Sequence, residues 1–281
     1  MGEVIYRWSK TQELNITQQL LHGVRYFDLR VAVDKNNRAR IVHGLLGGEL
    51  DDILQQFKEF LQTHAREVVL VDFSNVHRNK KEGEAVDELI VDKVTKQWSQ
   101  LLCPPSLVDE SLHEARKKQC QIFVFYNLRY LQKKYGDKIS KMCSKTMISS
   151  PFDLKTFTQP SKWLKFIEHT YTQPVPHFHV VQGIMEPHWM EIAIAGLSES
   201  ASLREWVSEP ALIEVVKWLK GKSNGKNGVN IVIADFVESH DFVASTVSLN
   251  TVSVSRTHTV KFDLVIVVSC AVFMYFVQNI Y

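Results

Sequence analysis

The sequence lacks the features that mark several common classes of protein. Its 33 basic residues nearly balance its 31 acidic ones, so no strongly basic surface for nucleic acid is expected. Eight prolines and twelve glycines are too few for a long linker. The first ten residues contain no apolar secretion signal, which predicts a cytosolic body. What remains is a 281-residue chain of ordinary globular composition, 45% apolar and long enough for one large domain.

The four cysteines form no recognisable metal or redox motif. They include no C-x-x-C pair and have no histidine at zinc-finger spacing. We therefore expect free thiols in a reducing compartment, with no metal site and no cofactor built from them. The cysteines are Cys103, Cys120, Cys143 and Cys270.

Short runs of Val, Ile and Phe alternate with amphipathic helical patterns. The predicted strands are Val24 to Val33, Arg40 to His43, Val68 to Phe73, Gln121 to Tyr126, Phe178 to Gln182 and Val229 to Phe236. The predicted helices are Leu50 to His64, Glu84 to Leu102, Ser161 to Thr170 and Pro210 to Lys220. This alternation favours a parallel α/β architecture, either doubly wound or a barrel. No glycine-rich phosphate loop follows a strand, so dinucleotide and P-loop chemistry are not expected.

A charged pair interrupts the first predicted strand. Strand alternation places Asp28 and Arg30 on the same face of an otherwise apolar run, where charge is costly unless it is solvated or used. His43 follows at the end of the next predicted strand, directly before a glycine. A carboxylate, a guanidinium and an imidazole suit phosphoryl chemistry. The alternative is a structural ion pair with an unrelated histidine.

Several segments resemble, in order, the X domain of phosphatidylinositol-specific phospholipase C. They include WSKTQ (residues 8–12), GVRYFDLR (23–30), HG (43–44), EVVLVDF (67–73), FHVVQ (178–182) and GVNIVIADFV (228–237). The sequence is most similar to the small eukaryotic PI-PLC X domain-containing proteins, and the resemblance extends from about Trp8 to about Asn250. It implies an irregular TIM-type barrel.

The resemblance also implies a reaction and a role for single residues. In that family the inositol 2-hydroxyl attacks the phosphodiester, which releases diacylglycerol and a cyclic inositol phosphate. His43 falls on the position of the general acid, Asp28 on the carboxylate beside the phosphate, and Asp235 on the carboxylate that orients the general base. Arg30 stands where calcium-dependent relatives have an acidic ligand, so the resemblance implies a metal-independent enzyme without a cofactor.

One family element has no counterpart in this sequence. The family's general-base histidine lies on a first barrel strand well upstream of the element that resembles residues 8–12. We therefore expect a barrel domain over residues 1–255 that lacks its first strand and has impaired activity. Three further residues at strand ends are candidate substrate contacts: Ser74, Asn127 and Gln182.

Three other patterns are interpreted as structural. Ser239-His240-Asp241 resembles the absent motif but follows the wrong strand, so a helix cap is expected there. His177 and His179 have metal-like spacing without a carboxylate or cysteine, and we expect core or surface histidines. The lysines from Lys133 to Lys145 predict a solvated face, with contact to anionic lipid headgroups as the alternative.

The C-terminal segment is unusually apolar. Residues 264–277 contain no charged side chain, and residues 262–281 contain one charge, Asp263. The segment predicts a transmembrane helix that holds a cytosolic catalytic domain at the membrane, with a packed terminal helix as the alternative.

These observations leave two functions from different classes. The first is a phosphoric diester hydrolase acting on phosphoinositide lipids, and the second is a non-catalytic membrane-bound protein that binds the same headgroup. A barrel phosphodiesterase acting on glycerophosphodiesters needs a Glu-x-Asp metal pair, which Asp28-x-Arg30 is not. No nucleic acid and no obligate protein partner is expected.

Overall fold

The computed structural model describes residues 2–77, 83–152, 160–171, 173, 177–187, 192, 201–225, 228–251 and 266–268. The chain divides into two compact units. Of the described residues, 25–77 and 83–147 form the six-strand unit, and 2–24, 148–152, 160–171, 173, 177–187, 192, 201–225, 228–251 and 266–268 form the four-strand unit.

The helices are numbered in chain order. They are α1 (Gly2–Ser9), α2 (Ile16–Leu21), α3 (Leu50–Thr63), α4 (Gly83–Trp98), α5 (Leu112–Lys117), α6 (Gln132–Tyr135), α7 (Pro160–Tyr171), α8 (Glu209–Leu219) and α9 (Phe242–Ser248). Short 3-10 turns cover Pro105–Leu107, Leu128–Tyr130, Gly136–Ile139, Lys145–Met147 and Leu249–Thr251, and a π-helical turn, Arg204–Ser208, leads into α8.

The described strands form two sheets. The strands are β1 (Tyr26–Val33), β2 (Ala39–His43), β3 (Leu45–Glu49), β4 (Val69–His77), β5 (Ile122–Tyr126), β6 (Cys143–Ser144), β7 (Ile148–Ser149), β8 (Phe178–Gln182), β9 (Ile231–Ile233) and β10 (Ile266–Val268). The six-strand unit has the order β3-β2-β1-β4-β5-β6, and the four-strand unit has the order β10-β9-β8-β7.

In the six-strand unit, one face of β1 packs on helices and the other carries polar groups. The ring of Phe27 lies 4.7 Å from that of Phe57 in α3, which in turn lies 5.4 Å from Trp98 in α4. Leu29 and Val31 continue this buried apolar face. Because side chains alternate along a strand, Tyr26, Asp28 and Arg30 share the opposite face.

The four-strand unit is a parallel sheet covered by helices. β8 and β9 are fully buried, and the indole of Trp163 in α7 donates to the carbonyl of Gln182 at 3.2 Å. Gly183 directly after β8 must be glycine, because a Cβ there would lie 2.4 Å from the carbonyl oxygen of Ile233. The end of β8 is therefore held close to β9.

The six predicted strands and four predicted helices are all present. The direction of β2 differs from the prediction, and β3 was not predicted. β2 runs antiparallel to β1 rather than parallel, since only residues 34–38 separate them and a parallel crossover needs a dozen or more. β3, with the sequence LLGGE, is an antiparallel edge strand beside β2. Its two glycines and lack of alternation hid it from the pattern.

The prediction of a transmembrane helix over residues 262–281 is wrong, whereas the alternative, a packed terminal helix, stays a prediction. The described part of that segment, Ile266–Val268, is a strand that pairs in parallel with β9, and the rest lies outside the described residues. No helix in the described residues is both long and apolar enough to cross a membrane. The sequence there is rich in Ile and Val, and a continuous apolar run is also the signature of a buried parallel strand.

The expectation of free thiols is wrong for two of the cysteines. Cys103 and Cys120 form a disulfide with Cα atoms 4.9 Å apart, beside the point where Leu102 bridges to Ile122. Cys143 is free and buried, and burial raises the pKa of its thiol to about 12. Cys270 lies outside the described residues.

We expect the Cys103–Cys120 disulfide to stabilise the six-strand unit. Its ends are 17 residues apart, and closing a loop of that length contributes about 3 kcal/mol to the free energy of unfolding. Urea unfolding of the wild type with and without dithiothreitol should show a loss of about this size. A Cys103→Ser/Cys120→Ser double variant should be as unstable as the reduced wild type and insensitive to dithiothreitol. An equal effect of reductant on both proteins contradicts the disulfide.

Candidate functional site

A group of polar side chains lies on one face of β1 and β4, which we call the polar face. β1 and β4 are parallel, and their register sets Asp28 beside Asp72. Leu29 pairs with Phe73 but Arg30 pairs with Asn75, so Ser74 is the extra residue of a β-bulge in β4. A bulge re-aims the side chain it carries. Here the Ser74 hydroxyl donates a hydrogen bond to Oδ1 of Asp28.

Asp28 and Arg30 form an ion pair on this face. Nε of Arg30 lies 3.8 Å from Oδ1 of Asp28, and both side chains are largely buried. Two residues apart on one strand, the pair matches the prediction from strand alternation. The Ser74 hydroxyl and the Arg30 guanidinium therefore both lie on the Oδ1 side of the Asp28 carboxylate.

Asp72 is the second carboxylate of the group and is 1% exposed. Its Oδ2 accepts hydrogen bonds from the Tyr26 hydroxyl, at 2.7 Å, and from the ammonium of Lys145. Burial raises the pKa of Asp72 to about 6, against the opposing effect of Lys145 and with a further contribution from the Asp28 carboxylate. Asp72 is therefore easier to protonate than an ordinary aspartate.

Asp72 is among the polar residues that the sequence places at strand ends, but no role is predicted for it, and Tyr26 and Lys145 were not predicted as site residues. Tyr26 lies two residues before Asp28 on the same strand, so alternation could have placed it on the same face. Lys145 follows β6, three strand positions from β1, and no local pattern connects it with Asp72. Its ion pair corrects the interpretation of Lys145 as part of a solvated face.

His43 is the last residue of β2. It is half-buried and pairs with Leu45 across the tight turn at Gly44, whose φ is +66°. The pairing of β2 with β1 ends at Ile41 and Val31, so His43 lies one strand away from the Asp28–Arg30 segment. The structure thus places the imidazole in the same sheet as the ion pair.

Asn127 has a structural contact of its own. It follows β5, its side chain is exposed, and its Oδ1 accepts from the backbone N–H of Arg129 at 3.3 Å. It caps the 3-10 turn Leu128–Tyr130. Its role in contacting substrate stays a prediction.

Asp235 and Gln182 belong to the four-strand unit. Asp235 follows β9, is 4% exposed, and accepts a hydrogen bond from the Ser208 hydroxyl at 3.3 Å. Gln182 ends β8 and donates to the hydroxyl of Ser150 at 2.6 Å. The structure thus assigns each of these predicted residues a polar neighbour within its own unit.

The chain around Asp235 is held by residues 11 and 12. The Gln12 carboxamide donates to the carbonyl of Ala234 at 3.0 Å and accepts from the N–H of Val237 at 3.1 Å. The N–H of Phe236 donates to the carbonyl of Thr11 at 2.8 Å. Phe236 itself has a φ of +50°, an unfavourable conformation for a residue with a side chain. These bonds fix the turn that presents Asp235.

The Ser239-His240-Asp241 pattern is structural, as expected, although it does not cap in the expected way. Asp241 precedes α9 but its side chain makes no capping hydrogen bond. The Ser239 hydroxyl accepts from Arg204 at 2.8 Å. His240 and Asp241 both have positive φ, so the segment is a tight connection into α9.

Three of the lysines before Lys145 contact α4 or the residues that follow it. Lys134 lies 3.6 Å from Glu88, Lys138 binds Asp92, and Lys141 donates to the carbonyl of Ser99 at 3.2 Å. Glu88 and Asp92 are one helical turn apart, which matches the spacing of the first two lysines. This part of the lysine run is therefore engaged within the fold.

No three His, Cys, Asp or Glu side chains of the described residues form a group that could hold a metal ion. The adjacent carboxylates of Asp28 and Asp72 each face a cationic side chain, Arg30 and Lys145 respectively. A divalent cation would have to displace those cations. Metal-independence itself stays a prediction.

His179 is a buried core histidine rather than a metal ligand. It lies in β8 and is 3% exposed, and its ring nitrogens have no hydrogen-bond partner among the described residues. Burial lowers its pKa to about 4, so the ring is neutral at physiological pH. This agrees with the interpretation of His177-x-His179 as structural.

We expect His179 to make the protein less stable in acid. An unfolded histidine has a pKa of about 6.5, so the unfolded chain binds the proton first and stability falls as the pH drops from about 6.5 towards 4. The full loss is about 3 kcal/mol. Urea unfolding at several pH values should show this loss in the wild type and in an exposed control, His22→Ala. In His179→Phe the loss over this window should be smaller by about that amount, and an identical pH dependence overturns the assignment.

Comparisons with known proteins agree on one family. Residues 5–123 match the family model described as phosphatidylinositol-specific phospholipase C, X domain. The chain is 30% identical over 262 residues to PI-PLC X domain-containing protein 2 of Mus musculus, covering 88% of this chain and 71% of the relative. It is 29% identical over 254 residues to PI-PLC X domain-containing protein 3 of Homo sapiens, covering 88% and 75%.

Solved structures show the same fold at low identity. A structure of phosphatidylinositol-specific phospholipase C from Staphylococcus aureus, determined in work on modulation of its membrane binding, has a TM-score of 0.59 with 18% identity and 86% of each chain covered. The phosphatidylinositol-specific phospholipase C of Listeria monocytogenes has a TM-score of 0.53 with 14% identity and 86% of each chain covered. These similarities confirm the predicted fold class, an irregular TIM-type barrel.

Proposed function

Because this chain belongs to the family of PI-PLC X domain-containing proteins, we propose that it is a metal-independent phosphoric diester hydrolase. Its proposed substrates are phosphoinositide lipids, cleaved between glycerol and phosphate to give diacylglycerol and an inositol phosphate. The observation that carries the proposal is the guanidinium of Arg30, held 3.8 Å from Asp28 on the polar face of β1.

Arg30 has the properties that a phosphodiester site needs. A guanidinium is always charged and presents a rigid fork of donors that matches two phosphoryl oxygens. Arg30 lies beside Asp28, which Ser74 hydrogen-bonds, so a positive charge is already in place where charge develops on the phosphate. In this proposal the fixed guanidinium supplies the positive charge that a divalent cation supplies elsewhere.

The remaining steps follow from acid–base chemistry. The inositol 2-hydroxyl oxygen forms a bond to phosphorus, and the bond from phosphorus to the glycerol oxygen breaks. His43 in its protonated form gives a proton to that leaving oxygen. The 2-hydroxyl proton passes to a base, and Asp235 falls on the carboxylate that orients this base in the family. No residue of this sequence matches the family's base itself.

The guanidinium of Arg30 beside Asp28 also supports a second candidate from a different class. A cation at this place can bind a phosphorylated headgroup whether or not a bond is then cleaved. It would then act as a headgroup-binding protein rather than a hydrolase. Membrane binding of the Staphylococcus aureus relative provides a precedent for peripheral contact with lipid in either case.

We expect chelators not to change the rate at which phosphatidylinositol in vesicles is cleaved, because Arg30 supplies the positive charge that a metal ion would otherwise supply. Release of soluble inositol phosphate should be the same with EGTA, with EDTA and with added calcium. Loss of activity in EGTA that calcium restores would contradict the assignment of Arg30.

We expect His43→Ala to lower turnover of phosphatidylinositol by about 10²-fold or more, since a general acid contributes about 10²–10⁴-fold. A substrate with a nitrophenol leaving group needs no proton, so its turnover should fall much less. His113→Ala, an exposed histidine of α5, is the matched control and should behave as wild type. Equal losses on both substrates argue against the acid role. A wild type that binds vesicles but cleaves neither substrate supports the binding protein instead.

A further inference from the structure

Arg204 is a charged residue that the proposed mechanism does not use, and its side chain contacts the turn that follows Asp235. Its guanidinium donates to the Ser239 hydroxyl at 2.8 Å and lies 3.4 Å from a carboxylate oxygen of Glu238. The guanidinium carbon also lies 5.1 Å from the centre of the Phe236 ring. One side chain therefore contacts three of the four residues that follow the Asp235 carboxylate.

Arg204 is itself held in place at the start of the π-helical turn. Its Nε donates to Oε1 of Glu209 at 2.9 Å, and the backbone N–H of Glu209 donates to the carbonyl of Arg204. A second carboxylate, that of Glu13, lies 3.8 Å from the guanidinium. Because a guanidinium is planar and its donors have fixed directions, contacts on both sides restrict where it can lie. Arg204 thus connects the π-helical turn to the turn after β9.

The other end of the π-helical turn contacts Asp235 directly. Ser208, its last residue, is 4% exposed, and the Ser208 hydroxyl donates to Oδ2 of Asp235 at 3.3 Å. A π-helical turn contains one more residue than an α-helical turn, and such turns are frequent at functional sites. The same five residues therefore contact the Asp235 carboxylate at one end and the residues that follow it at the other.

The connection between β9 and α9 needs such contacts because its backbone is strained. Phe236, His240 and Asp241 have φ angles of +50°, +54° and +52°, and none of them is glycine. Side chains make this region unfavourable, so these conformations persist only where the surroundings enforce them. Residues 11 and 12 hold the backbone of the turn, and Arg204 holds its side chains. Without Arg204, we expect the turn to relax.

We propose that Arg204 is a positioning residue for the reaction, holding the turn after β9 so that the Asp235 carboxylate keeps the orientation that the base requires. The inference rests on the proposed function, because it assigns to Asp235 the task of orienting the base. Arg204 acts through Asp235 and does not contact the substrate. Its loss should therefore lower kcat and leave KM almost unchanged.

Turnover of phosphatidylinositol in vesicles by the full chain gives the first measurement. Arg204→Gln should lower kcat by about 10-fold or more, because misplacing a group by about 1 Å can cost about 10²-fold. Lys217→Gln is the matched control. Lys217 lies on α8 and forms an exposed ion pair with Glu214 at 2.7 Å, away from the turn after β9, so this variant should behave as wild type.

A double variant distinguishes positioning from general stabilisation. If Arg204 acts through Asp235, then Arg204→Gln/Asp235→Asn should be no slower than Asp235→Asn alone. A carboxylate favours the protonated form of the base, so its displacement lowers the pKa of the base. The low-pH limb of kcat/KM should therefore move to lower pH in Arg204→Gln and in Asp235→Asn. This shift in Arg204→Gln decides the matter where Asp235→Asn is too slow to measure.

Hydrogen exchange reports the turn without requiring catalysis. The N–H groups of Phe236 and Val237 donate to the Thr11 carbonyl and the Gln12 carboxamide, so they are protected while the turn is held. In Arg204→Gln, exchange of peptides covering residues 236–239 should be about 10-fold faster, whereas peptides of β5 should exchange as in the wild type. Lys217→Gln should not change either set.

The outcomes separate failure of the inference from failure of the proposed function. If the wild type cleaves phosphatidylinositol but Arg204→Gln leaves the exchange of residues 236–239 or the low-pH limb unchanged, the positioning role is wrong and the proposed function stands. An equal fold-loss from Arg204→Gln in the wild-type and Asp235→Asn backgrounds also overturns it. A wild type without turnover overturns both.

A second variant keeps the test decisive if Arg204→Gln does not fold. Arg204→Lys retains the positive charge but not the planar fork that contacts Glu209 and Ser239 together. It must show the faster exchange of residues 236–239 and the shift of the low-pH limb. Exchange and pH dependence like those of the wild type in Arg204→Lys would refute the role of the guanidinium.

Discussion

The polar face of the six-strand unit depends on two carboxylates set side by side in an otherwise apolar sheet. Asp28 and Asp72 are in register on neighbouring strands, where like charges repel and burial opposes ionisation. Each is compensated by a cation and a hydroxyl: Arg30 and Ser74 for the first, Lys145 and Tyr26 for the second. Removing either cation leaves its carboxylate with a hydroxyl as its remaining named partner, so that the carboxylate must take up a proton or stay buried without a countercharge, and the group is thereby held together by one electrostatic constraint.

Part of this group could be predicted from the sequence, and the limit is physical. Asp28 and Arg30 are two residues apart on one strand, so alternation alone predicts that they share a face. The Ser74 contact depends on a bulge, which shifts register by one residue and cannot be found from periodicity. Lys145 approaches from a two-residue strand 73 positions from Asp72, a separation over which a single sequence gives no pairing signal.

The C-terminal segment shows where hydrophobicity alone misleads. A long apolar run fits a membrane helix and a strand buried on both faces, and the two differ in length and in the share of β-branched residues. Ile266–Val268 is the only described part of that run, and it pairs with β9. The strand β3 could not be predicted for a different reason, because its sequence, LLGGE, has neither a long apolar run nor alternating polar and apolar residues. Short or edge strands depend on the neighbour that they pair with more than on their own residues.

The resemblance of residues 8–12 to a family motif has a structural explanation in the four-strand unit. Gln12 bonds to the backbone on both sides of Asp235, and Thr11 accepts the N–H of Phe236, whose positive φ is costly unless the surroundings enforce it. Residues more than two hundred positions away thus determine how the Asp235 carboxylate is presented. Residues 8–12 therefore belong to the family resemblance because they hold the backbone around Asp235, although they contribute no charged group to the site.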